Sequence, residues 1–118
     1  MGFIAWLAIG VGAGMAGWGL GHLLSGTFEP WDSGTGFLVT QAVLGAAAIA
    51  AAWRAGGLAL CVVLLGGYLG LNLYGNLFGS GETRAWWMLG ALTSLFLTVI
   101  PAGGGVVALL LRRRKAPQ

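Results

Sequence analysis

Charge is what this sequence has least of. Only 8% of its 118 residues are Asp, Glu, Lys or Arg, against about a quarter in a soluble domain. That shortage, with the charges clustered, excludes an ordinary water-facing surface. The apolar runs between the clusters are each long enough to cross roughly 30 Å of hydrocarbon. Acids are absent from every one of those runs, because Glu29, Asp32 and Glu82 all fall between them. No paired carboxylates are therefore available inside a membrane, and an ion- or proton-coupled carrier would lack the buried charge it usually needs. Cysteine is reduced to Cys61, which rules out an internal disulfide and is expected to be a small packing residue.

What the chain has in abundance is apolar side chains (58%), 23 glycines and six tryptophans. The hydrophobic segments predict an all-α integral membrane protein: a four-transmembrane-helix bundle with helices at about 3–24, 37–53, 58–78 and 85–111. A basic tail, 112–118, follows. The first segment has no positive residues before it and is longer than the roughly 7–15 residues of a signal-peptide core, so a retained helix is expected. Turn-forming residues crowd 25–36 and 79–84, while Arg54-Ala-Gly-Gly57 is so short that helices two and three must be antiparallel neighbours. The long fourth segment contains Pro101-Ala-Gly103-Gly104-Gly105, where a missing backbone N–H and three glycines predict a hinge.

Basic residues set the expected orientation. With both termini cytoplasmic, Arg54, Arg112, Arg113, Arg114 and Lys115 lie inside and only Arg84 lies outside. Aromatic residues then form two belts, Trp6 and Trp53 inside, with Trp31, Phe78, Trp86 and Trp87 outside. The chain is expected in a bacterial-type plasma membrane. Arg112, Arg113, Arg114 and Lys115 are expected to meet anionic lipid headgroups, which accounts for the net charge of +3 without nucleic acid.

Each helix offers a face of small residues. Gly10, Gly14, Gly17 and Gly21 repeat at spacings of four, three and four, within about a 60° arc of helix one. Ala5, Ala8, Gly12, Ala16 and Gly19 make a second such face, as if the helix were wedged between two neighbours. Gly45 in helix two and Gly90 in helix four extend the same packing scheme. Gly12-Ala-Gly-Met-Ala-Gly17 has the spelling of a dinucleotide fingerprint, but no strand precedes it, so close packing is the expected role and no cofactor is implied.

Polar residues within the spans are few and spaced to meet. Tyr68, Asn72 and Asn76 are four apart and form one stripe of helix three. Asn72 should lie roughly 10 Å below the outer interface. Gln41 and Ser94 reach comparable depths, so Gln41, Tyr68, Asn72, Asn76 and Ser94 are expected to form an outward-facing polar cluster with His22 at its mouth. Interhelical hydrogen bonding and a solute-binding vestibule are the two roles open to it. His22 has no companions at ligand spacing, so no metal site is expected, and Glu82 and Arg84 form a local surface pair.

In length and helix count the chain is similar to the small multidrug-resistance transporters. Their pattern places a glutamate in the first helix, and none is present here, so that mechanism is not implied. A non-catalytic accessory or assembly subunit of a larger membrane complex is the leading expectation. A homo-oligomeric channel or transporter for a small polar solute is the alternative, and no reactive constellation points to an enzyme.

Overall fold

The four apolar segments become four helices long and apolar enough to cross a membrane. The computed structural model describes residues 2–79, 81, 85 and 87–115, without the side chains of Trp31 and Lys115. The first three spans are α1 (Phe3–Ser25), α2 (Gly34–Ala55) and α3 (Gly57–Phe78). The fourth is divided into α4 (Trp87–Leu97) and α5 (Val99–Lys115). The expected pair Glu82–Arg84, and Trp86 of the aromatic belt, lie outside the described residues.

Local chemistry explains where the helices stop. Gly26 ends α1 in the left-handed region at φ 81°, a conformation glycine adopts without a Cβ penalty, and its N–H closes on the His22 carbonyl. Helix α2 begins three residues earlier than the hydrophobic pattern predicts. The reason is Ser33, whose Oγ accepts from the Gly36 N–H at 2.9 Å and caps the first turn. Between α2 and α3 only Gly56 is non-helical. It stands at φ 90°, ψ −165°, its N–H bonds to the Ala52 carbonyl, and its own carbonyl accepts from the Leu60 N–H. One residue thus reverses the chain.

All four spans share the core: α1 packs most extensively on α3 and then on α2, α5 lies along α2, and Leu97 and Ala108 of the fourth span join the buried clusters. Backbone approaches are closest where glycines face each other. A methyl group at Gly10 would stand 2.5 Å from the Val63 carbonyl oxygen, and one at Gly66 would stand 2.6 Å from that of Leu7. At Gly14 and Gly70 it would collide with the carbonyl oxygens of Gly67 and Val11. Further along α1, Gly17 faces Thr40 and Gly21 faces the Gly36 carbonyl of α2.

One line of glycines therefore serves two neighbours, α3 at one end and α2 at the other. The second small-residue face does not act as a wedge: Ala8, Gly12 and Ala16 are exposed, Ala5 is half-buried, and of its two glycines Gly19 alone meets a described neighbour, the ring of Tyr74. No described atom lies within 4 Å of where a Cβ at Gly45 or Gly90 would project.

Two further expectations change. Trp6 is buried among Ala51, Ala59, Val62 and Val63 instead of standing in an interfacial belt. Cys61 is exposed, because it lies on the face of α3 turned away from α1 and α2.

Candidate functional site at the break in the fourth span

The interruption of the fourth span falls at Thr98, three residues before the expected hinge. Pro101, Gly103, Gly104 and Gly105 all lie inside the continuous helix α5. The cause is still Pro101. A proline has no N–H to give to the carbonyl four residues earlier, and its ring crowds that turn. The carbonyl in question is that of Leu97, and the chain tightens just after it. The Thr98 N–H bonds back to the Leu95 carbonyl at 3.1 Å, one residue short of α-helical register. The Thr98 hydroxyl donates to the same carbonyl at 2.7 Å. Regular α-helical bonding resumes with Ala102 N–H to Thr98 O at 2.9 Å.

The carbonyl abandoned by Pro101 is taken by α2. Gln41 Nε2 donates to Leu97 O at 2.9 Å. Gln41 is 9% exposed, and Leu97 is packed with Trp18, Leu44 and Leu71, so the bond lies in an apolar interior where an unmet carbonyl is costly. Ser94 sits one turn before Leu97 and is 1% exposed. Its Oγ and the Gln41 Oε1 are both buried and accept from no described group. Gln41, Ser94 and the Leu97 carbonyl thus define the most polar buried point of the bundle among the described residues.

The rest of the expected cluster does not converge there. Tyr68 and Asn72 are half-buried and Asn76 is exposed. Their amides turn back along α3: Asn72 Nδ2 donates to Tyr68 O and Asn76 Nδ2 to Asn72 O, each at 2.8 Å. The stripe is straight, as its spacing requires, but it runs beside the buried face instead of along it. That face is occupied by glycines, Gly66, Gly67 and Gly70, which let α1 in. Thr93 in α4 behaves like the asparagines, donating to Leu89 O at 2.6 Å.

Two participants escape the sequence-level reading. Thr40 is fully buried and shares its hydroxyl proton between Gly36 O at 2.9 Å and Gly17 O at 3.2 Å, tying α2 to α1. Its signal is faint: a threonine four residues after a glycine that must face another glycine. The Leu97 carbonyl is the other, and counting four back from Pro101 identifies it.

Above this point, toward the α1–α2 connection, Phe28 lies 5.3 Å from the Trp18 ring and stacks on Tyr74 at 5.9 Å. His22 meets Phe28 edge-on at 5.3 Å, and Tyr74 packs on Phe78 at 4.7 Å. These rings close the end of the bundle. His22 is exposed, and among the described residues no three of His, Cys, Asp and Glu come together as metal ligands would. At the opposite end Arg112 and Arg113 line a depression of about 260 Å³ with Gly56, Gly57 and Leu109. Comparison with protein-family models, with curated proteins and with solved structures finds no match to this chain.

Proposed function

We propose that this protein is a non-catalytic accessory or assembly subunit of a larger membrane complex, embedded with both termini cytoplasmic. The observation that carries the reading is the fate of the polar side chains. Gln41, Thr40, Asn72 and Thr93 all spend donors on backbone carbonyls of their own or a neighbouring helix. The bonds of Gln41 and Thr40 cross between helices and fix register, while those of Asn72 and Thr93 close within their own helices. The glycine seams between α1, α2 and α3 make a rigid support with little room for a path through it. Helix α4, in contrast, presents Trp87, Met88, Leu92, Leu95 and Phe96 outward. Orientation follows from the basic residues at the Gly56 end, where Arg112 and Arg113, with Arg114 and Lys115, face anionic headgroups.

A second reading, a homo-oligomeric channel or transporter for a small polar solute, has one observation in its favour. Gln41 Oε1 and Ser94 Oγ are buried without partners among the described residues, and such groups invite a polar guest. The two readings separate in purified proteoliposomes and in native membranes. On the accessory reading, Gln41→Leu and Asn72→Leu change partner association or stability and leave solute flux at the level of empty vesicles. Solute flux that Gln41→Leu abolishes would overturn it.

A further inference from the structure

We propose that α3 pairs with α3 of a second copy of this chain across a two-fold axis, with the two Asn72 amides exchanging hydrogen bonds. The inference rests on the membrane orientation proposed above. Cys61, Leu65, Tyr68 and Asn72 recur at spacings of four, three and four and fall within about 60° of the helix circumference. That is the repeat of a left-handed helix pair. Cys61 is exposed, Leu65 is half-exposed, and Tyr68 and Asn72 are half-buried at the edge of the packed face. The stripe is therefore open along its length.

Its polar groups say what covers it. Asn72 lies about 9 Å along the axis from Phe78, well inside the span. One amide hydrogen goes to Tyr68 O. Its second hydrogen, its Oδ1 and the Tyr68 hydroxyl meet no described group. Hydrocarbon cannot satisfy them. An amide carries a donor and an acceptor side by side, so it complements itself across a two-fold axis, as an isologous contact requires. Copies inserted with the same orientation bring the two Asn72 side chains to one depth without further adjustment. A different partner helix would need its own amide or hydroxyl there.

The test uses the full-length protein in phosphatidylcholine–phosphatidylglycerol vesicles at low protein density. A bismaleimide is the probe, and Cys61 is the only thiol in the chain. Cross-linked dimer is expected from Cys61, and from Leu65→Cys in a Cys61→Ser background. None is expected from Ile9→Cys, an exposed residue of α1, in that same background. Asn72→Leu should weaken dimerisation roughly ten-fold, the loss of two interhelical hydrogen bonds, and Asn72→Gln should restore most of it. Circular dichroism and thermal unfolding of each variant exclude a folding defect. A monomer under all conditions overturns the proposal, as does equal cross-linking from Ile9→Cys or an undisturbed Asn72→Leu dimer. Co-purification from native membranes is read separately. A monomer that still captures other subunits sinks only the dimer, and a dimer that captures none sinks only the accessory reading.

Discussion

At the scale of single residues, the most informative bond links Gln41 to the carbonyl that Pro101 leaves unserved. Removing the amide in Gln41→Leu strands Leu97 O in the interior and should cost about 1–3 kcal/mol of bundle stability. Pro101→Ala supplies an N–H to the same carbonyl, so in that background Gln41→Leu should cost less. A double-mutant cycle by unfolding in bicelles should give a coupling of about 1 kcal/mol, and strict additivity would show that the two residues act separately. Glycines give a second contrast. Gly14→Ala and Gly70→Ala must push carbonyl oxygens apart and should each destabilise by about 1–3 kcal/mol. Gly12→Ala and Gly90→Ala meet no described atom within 4 Å and should be neutral or slightly stabilising in the same assay.

At the scale of elements, the α2–α3 hairpin is the joint with the least tolerance. Gly56 carries a backbone conformation that L side chains rarely adopt, and a Cβ there would stand 3.1 Å from Arg112 Nη1. Gly56→Ala should therefore cost about 1–3 kcal/mol. Gly57→Ala, one residue on in helical conformation, should cost little. Thermal unfolding of the two variants side by side checks this. The hairpin was legible in the sequence, since four residues between two apolar runs permit nothing but a tight reversal. The start of α2 was less so, because a serine capping the Gly36 N–H competes with a pattern in which 34–36 read as loop. The break in the fourth span was displaced for a related reason. A proline is visible at its own position, while the hydrogen bond it deletes lies a turn earlier.

At the scale of the whole molecule, the fourth span is broken into a half packed along α2 and a half, α4, whose side chains are mostly exposed. The charge asymmetry along the chain makes a topology prediction that no single helix could make. A green fluorescent protein fused after Gln118 should fluoresce, reporting a cytoplasmic C-terminus. Replacing Arg112, Arg113, Arg114 and Lys115 together with glutamine should lower the fraction of correctly oriented chains, read by thiol labelling of Leu24→Cys in a Cys61→Ser background from either side of the membrane. Unchanged orientation would assign control of topology to Arg54 and the first hairpin.

The number and order of the spans were legible from the residues alone, because burying a long apolar run in hydrocarbon leaves few alternatives to a helix, whereas the start of α2 and the break in the fourth span were not. The spacing of Gly10, Gly14, Gly17 and Gly21 also marked them as one packing line, but it could not say that Gly12, on the opposite side, meets no described neighbour. Which polar residues meet depends on how the helices pack. Tyr68, Asn72 and Asn76 share a face by periodicity, but periodicity cannot say which face of α3 receives α1. Gly66 and Gly70 answered that, since two backbones can approach closely only where side chains are missing. The asparagines lie at the rim as a result, and Gln41 meets the Leu97 carbonyl, which Pro101 marks as unserved but which no sequence pattern pairs with a particular donor.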